Sequence, residues 1–114
     1  MQIQTNTDRN ITGSEELAAQ AQTIVEAALA RFSDQITRVE IHLSDENGTR
    51  GGNDDKRCLM EARLEGRPPI AVTHQAATVA AAMDGAADKL QRAIETTFGR
   101  LREGDRAPAR GEPT

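Results

Sequence analysis

Polar and apolar residues alternate over positions 2–5 (Gln2, Ile3, Gln4, Thr5), which is the period of a short strand, and a turn-rich stretch of Asn, Thr, Asp and Gly follows over 6–13. The spacing then changes. Leu17, Ala21, Ile24, Ala28 and Phe32 recur at steps of four, three, four and four, with Gln20, Gln22 and Glu26 on the other side, predicting an amphipathic helix to about residue 33. Ser14 is the expected N-cap, with Thr12 and Glu15 as a rival capping box, and Glu15 and Glu16 set negative charge at the positive end of the helix dipole.

Three alternating runs follow. Over 36–44, Val39, Ile41 and Leu43 share one face and Arg38, Glu40 and His42 the other; over 57–65, Cys58, Met60, Ala62 and Leu64 oppose Arg57, Leu59, Glu61, Arg63 and Glu65. Ile70 and Val72 carry a third run after the Gly66-Arg67-Pro68-Pro69 turn, so the three strands form an antiparallel meander. Residues 45–56 hold three glycines and no large apolar side chain, the composition of a mobile hairpin tip too polar to pack. A second and longer helix is predicted over 77–102 from Val79, Met83, Ala86, Ala87, Leu90, Ile94, Phe98 and Leu101. The last twelve residues have Gly104, Pro108, Gly111 and Pro113 and no period. Residues 1–102 are therefore read as one domain and 103–114 as a disordered tail.

The element order strand, helix, three strands, helix predicts an α+β two-layer sandwich, with a four-stranded mixed sheet carrying both helices on one face. A helix joins the first strand to the second, so those two should run parallel. The uncovered sheet face would show Arg38, Glu40, His42, Arg57, Glu61, Arg63 and Glu65, whose alternating signs suggest cross-strand charge pairing. A homodimer through an edge strand is the self-association such a sheet permits.

Length and composition narrow the function. At 114 residues the chain has room for a single core, with seven Leu, seven Ile, four Val and two Phe. It has neither an 18-residue apolar run nor a basic start followed by an apolar stretch, so the expectation is a cytoplasmic protein with no membrane partner. Cys58 is the lone cysteine and is expected as a small buried hydrophobe. His42 and His74 lie on strands without further ligands at metal spacing and are read as surface histidines. Asp45, Asn47 and Thr49 open like a calcium loop, but Arg50 stands where Gly is needed and Lys56 where a bidentate Glu is needed. The glycines at 48–52 are not followed by a Lys-Ser/Thr pair as a phosphate-cradling loop requires. No nucleophile, acid/base pair or metal set emerges, so neither an enzyme, a cofactor nor a small-molecule substrate is expected.

One pattern is chemical. Lys89, Arg92, Thr96, Arg100 and Glu103 recur at helical spacing opposite the apolar stripe of the last helix, and arginine forks and lysines so placed can track nucleic-acid phosphates. With no Trp or Tyr and both Phe on core faces, stacking on single-stranded bases is disfavoured. The formal net charge of −4 means that any anionic partner is met by a local stripe rather than by bulk charge.

Four segments carry a family resemblance: Ile11 to Leu17 (ITGSEEL), Arg31 to Val39 (RFSDQITRV), Glu61 to Gly66 (EARLEG) and Met83 to Arg92 (MDGAADKLQR). Together the chain resembles the ribosome hibernation-promoting factor and ribosome-associated inhibitor A family, also called sigma-54 modulation proteins, in its short form. The resemblance implies a fold with double-stranded-RNA-binding-domain topology. It also implies a stress-phase protein that binds the small ribosomal subunit in the channel of tRNA and mRNA, contacts rRNA and inhibits translation by steric block. By position it makes Lys89 and Arg92 RNA-binding residues, with Arg100 and Arg102 extending the stripe and Arg31 the sole cation of the first helical segment. So few cations imply weak, salt-sensitive binding. The alternative is an acidic, family-derived protein-binding module that has lost rRNA binding.

Overall fold

The computed structural model describes residues 1–8, 11, 13–46 and 56–105, the last six of these by backbone alone. Strand β1 (Gln2–Thr7) leads to helix α1 (Ser14–Ala28) and a single 3-10 turn (Ala30–Phe32). Strands β2 (Ile36–Asp45), β3 (Lys56–Leu64) and β4 (Ile70–Ala76) follow, then helix α2 (Val79–Asp105). The sheet order is β1-β2-β3-β4. β1 runs parallel to β2, and the other two pairings are antiparallel, as the element order required.

The alternating residues explain the layering. Val39, Ile41 and Leu43 of β2 and Cys58, Met60, Ala62 and Leu64 of β3 all point to one side. There they meet Ala21, Val25 and Leu29 from the α1 segment and Ala82, Met83, Ala86, Ala87, Leu90 and Ile94 of α2 in one buried cluster. Helix α2 lies over β3 and β4, while α1 packs against β1 and α2. Ile36 and Val39 are both buried although three residues apart, because the register slips between Ile36 and Arg38 at a β-bulge. Thr37 Oγ1 there donates to the Arg63 carbonyl at 3.1 Å.

Both ends of α1 depart from the pattern. Gly13, not Ser14, precedes the first helical residue; it has φ 70° and offers no side-chain cap. The Leu17 N–H closes the first turn on its carbonyl at 3.0 Å. A left-handed entry is a backbone property that glycine adopts cheaply, and it makes Ser14 part of the helix. Thr12 lies outside the described residues. The helix stops at Ala28, and the predicted stripe reaches Phe32 only because i→i+3 bonds (Phe32 N–H to Leu29 O, 2.9 Å) wind the chain one tighter turn and keep that ring inward.

Three further expectations change. Asp45 and Lys56, the assumed ends of a polar hairpin tip, are the last and first residues of paired strands, and Asp45 is buried with its carboxylate 3.6 Å from Lys56 Nζ. Residues 47–55 lie outside the described set. Helix α2 begins two residues later than expected and continues three past Arg102, to Asp105; the rest of the expected tail, 106–114, also lies outside that set. His74 is half-buried rather than fully exposed: it shares the helix-facing side of β4 with Ile70, Val72 and Ala76. A methyl group on Gly85 of α2 would sit 2.1 Å from His74 Cδ2, so helix and strand approach closely only because residue 85 lacks a side chain.

Candidate nucleic-acid interface

The polar side of α2 carries the charged residues picked out by helical spacing, and each described cation has a defined partner. Lys89 Nζ donates to the Thr73 carbonyl of β4 at 2.9 Å. Because strand residues alternate in direction, that carbonyl faces away from β3, so Lys89 caps the free edge of the sheet. Arg92 Nη2 lies 3.1 Å from Asp88 Oδ2, one helical turn back, with both side chains well exposed.

Arg31 comes from the 3-10 turn. Its Nη2 is 2.7 Å from Glu95 Oε2, and the Gln91 amide donates to the same oxygen at 3.4 Å. The guanidinium also sits 5.1 Å over the Phe32 ring, which stacks on Phe98 with centroids 5.7 Å apart. Arg31 is thus steadied from below by an aromatic pair and held from the side by a carboxylate.

Helix register spreads the four predicted positions of α2 round its polar side, and Arg31 reaches that side from the 3-10 turn. With about 3.6 residues per turn, position 100 stands three turns on from Lys89 and position 102 two turns on from Glu95. Arg92 lies about 60° round the helix from both Lys89 and Glu95, so the charged positions fan across one broad polar side. Sequence reasoning missed Glu95, Gln91 and Thr73 as partners. Asp88 with Arg92 could have been found from i, i+4 spacing, but Arg31 and Glu95 are 64 positions apart and no local pattern joins them.

The open sheet face is arranged differently from the expectation. Register sets Arg38 opposite Arg63 and Glu40 opposite Glu61, like charge against like. Attraction runs along and diagonally between strands: Glu40 lies 2.9 Å from Arg38 Nε, 3.6 Å from His42 Nε2 and 3.8 Å from Arg63 Nη2, while Glu61 is 3.7 Å from Arg63. Arg38 also donates to Gln4 of β1.

Cys58 is sealed in the core, and desolvation pushes its thiol up to about 12, which keeps it neutral and unreactive. Among the described residues no group of His, Cys, Asp and Glu could hold a metal ion, and no helix is long and apolar enough to cross a membrane.

The model of the family described as sigma 54 modulation protein / S30EA ribosomal protein matches residues 4–102. The chain belongs to this family. Among solved structures, the fold is similar to the Protein Y N-terminal domain of Thermus thermophilus, at a TM-score of 0.68 and 19% identity over 85% of this chain and 99% of that one. It is also similar to a ribosomal subunit interface protein from Coxiella burnetii, at 0.66 and 18% identity over 87% and 99%. No curated protein matches the sequence significantly. The family's fold is thus built here on a chain of net charge −4 whose described helix cations are all engaged with acceptors of their own.

Proposed function

We propose that this protein is a cytoplasmic, ribosome-associated factor of stress or stationary phase. It binds the small subunit at rRNA lining the tRNA and mRNA channel and inhibits translation by occupying that space, without chemistry of its own. The observation that carries the reading is the family match over residues 4–102, joined to a helix that presents Lys89 and Arg92 on one exposed flank, with Arg100 in register. The name of the Coxiella burnetii neighbour, a ribosomal subunit interface protein, supports it. Arg92 is well exposed, and exposed ion pairs are weak enough for a phosphate to replace the carboxylate partner. Arg31, held by Glu95, lies farther round the same surface.

The test is co-sedimentation with purified small ribosomal subunits across a salt series. Binding should weaken linearly on a log–log plot, with each phosphate contact adding about 0.7–0.9 to the slope. Replacing Lys89, Arg92 and Arg100 by Glu should release the protein, and unchanged binding of that triple variant would exclude the α2 interface.

A second reading is an acidic protein-binding module derived from the family. It is favoured by α1, which carries Glu15, Glu16 and Glu26 and no cation between Ser14 and Ala28. It predicts no salt-sensitive ribosome binding and a defined protein partner.

A further inference from the structure

The Arg31 side of α2 has the shape of an anion site that already holds an anion. One oxygen of Glu95 takes the Arg31 guanidinium at 2.7 Å and the Gln91 amide at 3.4 Å. The guanidinium is fixed over Phe32, and Phe32 is fixed by its stack on Phe98. A planar fork held in place and a neutral donor beside it are the components that receive a phosphate group.

We infer that Arg31 and Gln91 form a phosphate-binding site on the Glu95 side of α2, and that Glu95 occupies this site in the free protein as an internal stand-in for phosphate. The inference rests on the ribosome-binding reading, which supplies the phosphodiester. The Arg31 side chain is 69% exposed and that of Glu95 39% exposed, so water screens their attraction and a phosphodiester can displace the carboxylate. The displaced Glu95 then stands beside the incoming phosphate and opposes it. The site is therefore built but held at low affinity, and Arg31 contributes little until Glu95 is neutralised or moved.

A double-mutant cycle on the full chain, with purified small ribosomal subunits as the probe, decides the matter. Glu95→Gln keeps the shape and removes the charge. It should tighten binding about three- to tenfold at low salt and steepen the log–log salt slope by about one phosphate contact. Arg31→Gln alone should change binding less than about twofold, and the double variant should lose the gain of Glu95→Gln. A gain that persists without Arg31 would show only the removal of bulk negative charge and would overturn the inference. So would an unchanged affinity of Glu95→Gln beside clear binding by the unaltered protein. If the unaltered protein and all three variants fail to bind at every salt concentration, the ribosome reading itself falls and takes this site with it.

Discussion

The two faces of the sheet are made from the same strands and obey different physics. On the covered face Ile41, Met60 and Val72 lie side by side across β2, β3 and β4, and the first two are wholly removed from water. Burial is non-directional, so any register that kept those residues inward would have been stabilising, and only packing selects among them. On the open face Arg38 meets Arg63 and Glu40 meets Glu61, an arrangement that direct cross-strand pairing would avoid. The covered face dictated the register, and the charges on the open face settled for diagonal and along-strand partners. The face that stabilises the fold thus sets the terms for the one in contact with solvent.

Three substitutions probe this difference, in falling order of expected effect. Met60→Ala empties the middle of the covered face and should cost about 2–5 kcal/mol by urea unfolding. A loss below about 1 kcal/mol would mean that the layer collapses into the space and that its packing is not selective. Gly85→Ala tests the same layer from the helix side. Propensity alone would stabilise α2 by about 1 kcal/mol, yet the new methyl would lie 2.1 Å from the His74 ring. A net loss of about 1–3 kcal/mol is expected. In a His74→Ala background the same change should become stabilising, since the ring it strikes is gone. Glu40→Gln removes the hub of the open-face network and leaves Arg38 and Arg63 facing each other without their shared counter-charge. Because those arginines remain partly exposed, the expected loss is about 1 kcal/mol or less and should shrink with added salt. A loss as large as that of Met60→Ala would erase the distinction between the two faces.

What was legible in the sequence follows the same division. The inward stripes of β2 and β3 and the buried face of α2 are local periodicities, each readable within about ten residues, and with the element order they give the layers and the parallel first pairing. The bulge after Ile36, the left-handed entry at Gly13 and the tightened turn at Ala30–Phe32 are backbone adjustments that the periodic pattern does not encode. At the candidate interface, the spacing of Lys89, Arg92 and Arg100 marked the polar flank of α2. Glu95 was invisible as a partner because its arginine arrives from the far side of the chain, brought in by the Phe32–Phe98 stack. Lys89 looked like an uncommitted charge, since nothing near it in sequence announces the Thr73 carbonyl.

The Lys89–Thr73 bond has a thermodynamic corollary. Any anion that draws Lys89 away removes a hydrogen bond from the outer edge of β4, and by linkage any event that loosens this edge makes Lys89 easier to recruit. Occupancy of the α2 flank and amide exchange along β4 are in this way two readings of one equilibrium, and a ligand that touches only the helix would leave its trace in the strand.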